Sequence, residues 1–394
     1  MPTPTRAQTP NPINHIIVLY LENWSFDSLY GMFPGANGLA NAANAAPQVD
    51  KTGKVYDTLP APLNSNTKDS AGKVLADSRF PADLPNKPFA IDKYVPTSDL
   101  IGDMVHRYYQ EQLQIDGGKM DKFVTWGNSA GEVMGYVDTT KLPMYKIAQQ
   151  YTLSDNFFHA SFGGSFLNHF WLVCACSPVW PNAPTDVVAQ LDANGVVTKD
   201  GQVTPDGFAV NTAFTTYTPH PANVAADHLV PPQTMPTIGD RLSEKNISWA
   251  WYSGGWNDAV AGNPDKLFQF HHQVFAFFKN YGDGTDGRKE HLKDDKDFFA
   301  AVSDGTLPAV SFVKPLGEQN EHPGYAKLDD GEKYAANLVE AVQNSPAWKD
   351  TAIIITYDEN GGLWDHVAPP IVDKWGRVLV SQPSSFRPMP RRVS

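Results

Sequence analysis

The sequence predicts an α/β domain, and three observations carry that expectation: short β-branched apolar runs, amphipathic helices between them, and polar clusters where the runs stop. Asn14 to Tyr20 (NHIIVLY) is a near-continuous apolar run, as in a strand covered on both faces. It stops at Glu22-Asn23-Trp24-Ser25-Phe26-Asp27. Thr139 to Thr152 sets Met144, Ile147, Ala148 and Tyr151 at helical spacing, and Gly163-Gly164-Ser165 then opens a new apolar segment. Thr237 to Asn246 reads as a helix, Ile247 to Tyr252 as a strand stopped by Gly254-Gly255, and Pro308 to Val313 as a further short strand. Glu332 to Val342 places Ala335, Leu338, Val339 and Val342 on one helical face. Pro346 ends that helix, and Ala352 to Tyr357 (AIIITY) is the clearest buried strand in the chain.

Two long stretches, Ala45 to Asp99 and Pro184 to Gln233, are rich in Pro, Asn, Thr and Asp and show little periodicity, which suits cap insertions over the sheet. The expected organisation is one α/β domain over 13–394, with insertions at about 45–99 and 184–233 and a flexible segment at 1–12. Among the 394 residues, 31 Lys and Arg stand against 43 Asp and Glu, a net charge of −12 that disfavours nucleic-acid and anionic-membrane partners. No apolar run approaches the roughly 18 residues of a membrane helix, so stable membrane insertion is not expected. Met1 to Pro12 lacks the apolar stretch of a secretory signal. Cys174 and Cys176 sit two apart in an apolar run, where a disulfide ring would be tight; buried thiols are the expectation.

Ligands of open α/β sheets bind beyond the carboxyl ends of the strands. Two such places are acidic here: Glu22-Asn23 after the first strand, and Asp358-Glu359-Asn360-Gly361-Gly362-Leu363-Trp364-Asp365-His366 after AIIITY. Carboxylate and amide oxygens from two strand ends make a hard-oxygen site for a divalent cation, against the blander reading of two solvated loops. Gly361-Gly362 tips the balance, because glycines allow close backbone approach. In Gly163-Gly164-Ser165-Phe-Leu-Asn168-His169, a helix beginning at Ser165 puts Asn168 and His169 one turn on, while backbone N–H groups at its start attract an anion. A serine after Gly-Gly is in general more often a helix cap than a nucleophile. His106, His271, His272, His322 and His366 stand in polar contexts, whereas His15, His159, His220, His228 and His291 read as structural.

These motifs together resemble a known family. Glu22-Asn-x-Ser-Phe-Asp, Gly-Gly-Ser165-x-x-Asn-His, Asn320-Glu-His322-Pro-Gly and Thr356-Tyr-Asp-Glu-x-Gly-Gly-x-Trp-Asp-His366-Val-x-Pro-Pro are similar to motifs of the bacterial phosphoesterase family of acid phosphatases and phospholipases C. The resemblance runs from Ile13 to Trp375. It implies an alkaline-phosphatase-like core, a mainly parallel sheet flanked by helices, and one divalent metal ion (Ca, Mg, Mn or Zn). It implies further that Ser165 is the nucleophile forming a phosphoserine, with Glu22, Asn23, Asp358, Glu359 and Ser165 itself around the metal. His106, His271, His272 and His322 are then the phosphate-facing histidines, with His322 or His272 protonating the leaving alcohol. Asn168, His169, Asp365 and His366 are the remaining substrate-side candidates.

Ser165-Phe-Leu-Asn-His and His106-Arg-Tyr-Tyr-Gln-Glu-Gln are closer to the acid-phosphatase branch, so a small phosphomonoester is the expected substrate and an acidic optimum follows from kinship and histidines that donate to phosphate. Ten tryptophans keep a phospholipase C acting on phosphatidylcholine-type lipids as the alternative, through a choline cage. Kinship implies a periplasmic or secreted location. The family continues beyond the Asp-His-Val motif, whereas Lys374 to Ser394 is basic and proline-broken. The expectation is a truncated or altered end, a bare sheet edge that a homodimer could cover, and, as a third reading, a non-catalytic phosphate-binding relative.

Overall fold

The computed structural model describes residues 13–370 and 373–376. The expectations for Met1 to Pro12 and for the tail from Arg377 onward lie outside the described residues. Five strands form the central sheet: β1 (His15–Leu21), β2 (Trp249–Ser253), β3 (Leu292–Asp294), β4 (Val310–Lys314) and β5 (Thr351–Tyr357). Their spatial order is β3-β2-β4-β1-β5, and every neighbouring pair is parallel. The helices that matter below are α1 (Phe26–Tyr30), α2 (Tyr108–Ile115), α3 (Pro143–Gln150), α4 (Ser165–Cys174), α5 (Ile238–Glu244), α6 (Asp295–Asp304) and α7 (Leu328–Gln343). The result is α/β, in keeping with the alkaline-phosphatase-like core that the motifs imply.

Strand alternation divides the core in two. Ile17, Leu19 and Leu21 of β1 pack with Val313 and Ile353 against Phe298 and Val302 of α6 and the Ala335, Leu338, Val339 and Val342 stripe of α7. Val18, Trp251 and Phe312 face the other way, into a larger cluster with Phe166, Leu167 and Phe170 of α4. Both long insertions enter this second cluster, through Leu59 and Phe89 from the first and Val203 and Val230 from the second.

Three expectations change. AIIITY is an edge strand of the described sheet: Thr351 and Ile353 are buried, but the residues that follow in β5 are half-buried, since only β1 pairs with it. Its apolar composition reflects packing on both faces, Ile353 in one core cluster and Ile354 against the other, although only one strand neighbours it. The 139–152 helix breaks at Leu142 into a single turn (Thr139–Lys141) and α3, because Pro143 suits a first helical position and no interior one. Cys174 and Cys176 are joined by a disulfide rather than being free thiols; Ala175 between them takes a left-handed conformation (φ 48°) that turns the two side chains toward each other.

The parallel order places the carboxyl ends of β1, β4 and β5 side by side, with Leu21 paired to Tyr357 and Leu19 to Val313. Glu22-Asn23, Asp358-Glu359 and Lys314 therefore emerge at one edge of the sheet.

Candidate active site

Ser165 is the first residue of α4, with Gly164 as the cap residue. Its hydroxyl does not cap the helix; it donates to Glu22 Oε2 at 2.8 Å. The preceding turn fits only without side chains: a Cβ on Gly163 (φ +89°) would lie 2.8 Å from the Tyr108 backbone N, and one on Gly164 would lie 2.9 Å from the His106 carbonyl. Glu111 of α2 fastens this turn, accepting the Gly163 N–H on Oε2 and pairing with His159 through Oε1 at 3.2 Å. Asn168 fastens it from the other side, accepting from Ser161 N at 3.1 Å and donating to the Gly163 carbonyl at 3.0 Å.

The acidic loops meet as the glycine pair suggests. Gly361 (φ +62°) lies so close to the loop after β1 that a Cβ would be 2.2 Å from the Asn23 carbonyl oxygen. Asp358 Oδ1 accepts the Asn23 N–H at 3.0 Å, and Glu359 accepts from Gly361 N at 2.5 Å. Burial, followed by the charge of Glu22, lifts the Asp358 carboxyl to about 7; burial and then Asp358 push Glu359 up as well. Asn23 Oδ1, Asp358 Oδ2 and Glu359 Oε1 are buried with no hydrogen-bond partner among the described residues. Three unsatisfied buried oxygens of this kind are costly unless a cation takes them, so the donor set fits a divalent metal ion of the hard-oxygen class.

Above the carboxylates lies a cavity of about 360 Å³ walled by Ser165, His106, His271, His272, His322 and Tyr325. His106 donates from Nδ1 to the Met104 carbonyl at 2.5 Å, which leaves Nε2 to accept from Asn23 Nδ2 at 3.0 Å. His322 donates from Nδ1 to the Pro323 carbonyl and stacks on Tyr325, ring centroids 4.2 Å apart. His272 Nε2 is 3.1 Å from Glu22 Oε1. Burial and then the Lys314 charge drive His271 down to about 3, and burial, partly opposed by Asp103, drives His322 to about 4. By themselves these rings are neutral even at mildly acidic pH; the reading that expects them protonated needs a phosphoryl dianion in the cavity to supply the opposing charge.

Two pairs expected near substrate sit elsewhere. Asn168 and His169 are buried and absent from the cavity wall: Asn168 holds the glycine turn, and His169 donates from Nδ1 to the Ser165 carbonyl at 2.6 Å. Asp365 and His366 belong to a separate cluster around Asp27, whose Oδ2 accepts from His366 N at 2.8 Å and Nδ1 at 2.7 Å. Asp365 lines a second, smaller cavity of about 160 Å³ behind Glu359.

The sequence reading missed Lys314. Ending β4, it is wholly buried, its Nζ touches Glu22 Oε1, and it lies 5.1 Å from the Tyr20 ring centroid. A lysine closing an apolar strand beside an acidic loop was the available signal. Glu111 and Asp103 were missed too; Asp103 lies at the cavity with His106 and His322.

The sequence profile of the Phosphoesterase family matches residues 13–385. The chain belongs to the Phosphoesterase family. Curated relatives include Phospholipase C A of Mycobacterium tuberculosis, 26% identical over 369 residues, which cover 91% of this chain and 60% of that protein. Non-hemolytic phospholipase C of Pseudomonas aeruginosa is 24% identical over 94% of this chain and 45% of its own length. Non-specific phospholipase C3 of Arabidopsis thaliana is 21% identical over 93% of this chain and 58% of its own. The matched regions thus span between 45% and 60% of the length of these three relatives. Among its described residues no helix is long and apolar enough to cross a membrane.

Proposed function

We propose that this member of the Phosphoesterase family is a metal-dependent acid phosphatase that hydrolyses small phosphomonoesters through a phosphoserine on Ser165. One observation supports this reading above the others: the Ser165 hydroxyl, hydrogen-bonded to a buried carboxylate at a helix start, opens into a polar cavity walled by four histidines and by none of the ten tryptophans. A choline cage needs aromatic faces, and here Phe166 and Tyr325 are the aromatic residues of the wall besides the histidines.

In this reading Glu22, Asn23, Asp358 and Glu359, with Ser165, hold one divalent ion, which when bound lowers the serine pKa and neutralises phosphoryl oxygens. The Ser165 proton passes along its hydrogen bond to Glu22, and Oγ attacks phosphorus in line with the leaving oxygen. The P–O bond to the leaving group breaks, and that oxygen takes a proton from a histidine. His322 is favoured over His272, whose Nε2 faces Glu22 Oε1 at 3.1 Å. Water then attacks the phosphoserine and gives a proton back to the histidine, the P–Oγ bond breaks, Ser165 regains its proton from Glu22, and inorganic phosphate leaves. The α4 backbone N–H groups and His106 stabilise the negative oxygens. The Cys174–Cys176 disulfide favours an oxidising compartment, periplasmic or extracellular.

The second reading, a phospholipase C, is favoured by the names of the relatives. Turnover of an aryl phosphate and of phosphatidylcholine vesicles, with wild type and Ser165→Ala, separates the two. Aryl phosphate cleavage that Ser165→Ala abolishes, with acid-stable label on Ser165 in quenched wild type, supports the phosphatase. Cleavage of the lipid alone supports the lipase, and tight phosphate binding without any turnover supports a non-catalytic relative.

A further inference from the structure

Beneath the cavity, a second group of ligand atoms converges beside Ser165: Glu22, His169 and His272, all buried, each offering an atom within 4.8 Å of the others. Two imidazoles and a carboxylate form a good set for a transition-metal ion. His169 is oriented as such ligands are. Its Nδ1 donates to the Ser165 carbonyl at 2.6 Å, which leaves a lone pair on Nε2, and that Nε2 is buried with no partner among the described residues. His272 stacks parallel to it at 5.0 Å, the planes 4° apart, with Nε2 turned 3.1 Å from Glu22 Oε1.

The ammonium of Lys314 is set against this group. It touches the same Glu22 Oε1, comes from the end of β4, and is wholly enclosed, with no other anion bonded to it among the described residues. Its charge also closes a balance. Glu22, Asp358 and Glu359 contribute three negative charges; one divalent ion and one ammonium cancel them, whereas a second divalent ion in place of the ammonium would leave the buried cage positive.

We propose that Lys314 is a built-in cation standing where a second metal ion would bind, so that the Glu22–His169–His272 group is barred to metal and the site holds a single divalent ion. By holding Glu22 Oε1, the same ammonium turns Oε2 toward Ser165, which makes Lys314 a positioning residue for the nucleophile. This inference rests on the reading of Glu22, Asn23, Asp358 and Glu359 as the metal cage.

The test is a cobalt count. Metal-free protein is titrated with Co²⁺, the bound metal is counted by elemental analysis, and the visible d–d absorption reports its ligand field. Wild type is expected to take one equivalent. Lys314→Ala is expected to take two, the second with the strong absorption of a low-coordinate nitrogen-containing site, and Lys314→Ala/His169→Ala is expected to return to one. Lys314→Gln, which keeps most of the volume, carries the same expectation of two if the alanine variant does not fold. Two equivalents in wild type would overturn the proposal, as would one in folded Lys314→Ala or Lys314→Gln. No cobalt in wild type would instead refute the cage reading on which it rests, so the two failures are distinguishable.

Discussion

Asp27 and His366, far apart in sequence, are held together by one carboxylate oxygen: Asp27 Oδ2 accepts both the backbone N–H and the Nδ1–H of His366. Asp27 also donates its own N–H to Asp365 Oδ2 at 3.1 Å, so α1 and the loop following β5 are clasped by reciprocal bonds. Asp27 Oδ1 is buried without a hydrogen-bond partner among the described residues, which makes the clasp sensitive to loss of the imidazole donor. His366→Ala removes the imidazole bond but keeps the backbone one, and is expected to destabilise the fold by about 2 kcal/mol, the cost of leaving a buried acceptor short of a hydrogen bond. Denaturant unfolding measures it. Because the clasp lies outside the Ser165 cavity, kcat of the folded variant should stay within a few-fold of wild type; a loss comparable to that of Ser165→Ala would make the pair part of the chemistry.

Gly361→Ala should damage the site more than its size suggests. A methyl group there would sit 2.2 Å from the Asn23 carbonyl oxygen, on a backbone with φ +62°. Either the loop after β1 retreats and takes Asn23 from Asp358, or the acidic loop does. The expected result is at least a tenfold loss of divalent-ion affinity in a folded protein, read by calorimetric titration; unchanged affinity would show that the loops do not need this contact.

Ion binding should release protons below neutrality. Burial and the neighbouring Glu22 raise the Asp358 carboxyl to about 7, so without an ion it is mostly protonated at mildly acidic pH, and a cation must displace that proton. Calorimetry of Mg²⁺ or Mn²⁺ binding at about pH 6, in buffers of different ionisation enthalpy, should show a net release, and affinity should rise with pH through the neutral range. A pH-independent affinity between about 5 and 8 would contradict the assigned ligands.

Phosphate binding should do the reverse. His271 and His322 are held to about 3 and about 4 by burial, and a dianion beside them raises both. Binding of sulfate, a dianion that carries no proton of its own at about pH 5.5, should therefore take up protons, and replacing His322 by Asn should cut that uptake. Equal uptake in wild type and His322→Asn would remove this ring from contact with the anion.

Glu132 provides a stability prediction away from the chemistry. It is buried, accepts the Gly102 N–H at 3.0 Å, and burial lifts its carboxyl to about 8. The folded state then binds a proton that the unfolded chain releases near its ordinary 4.5, so this group costs nothing at low pH. Its cost grows as pH rises toward 8 and is fully present above it. Glu132→Gln should flatten the fall in unfolding free energy across that window, by up to the order of 4 kcal/mol at its alkaline end. Parallel wild-type and variant stability curves would show that Glu132 is not a buried acid of this kind.

Much of the molecule was legible in the linear chain. The β-branched runs at 15–21 and 351–357 and the Ala335–Val342 stripe are local patterns, and local patterns decide which segments become strands and helices. The acidic clusters were legible for a similar reason: polar residues that interrupt buried strands must emerge at a sheet edge. The disulfide was not, because its closure depends on the left-handed Ala175, which no neighbouring residue announces.

The sequence by itself determined the fold class, the strand ends that carry Glu22, Asn23, Asp358 and Glu359, the helix start at Ser165 and the glycines that let them converge. Only the tertiary structure decided who faces whom: it set Lys314 against Glu22, gave Glu111 and Asn168 to the glycine turn, and drew Asp365 and His366 away to Asp27. The physical reason is that burial and charge compensation are properties of neighbours in space. A lysine closing an apolar strand signals a buried charge, but which carboxylate it meets is decided only when a parallel sheet lays β4 beside β1.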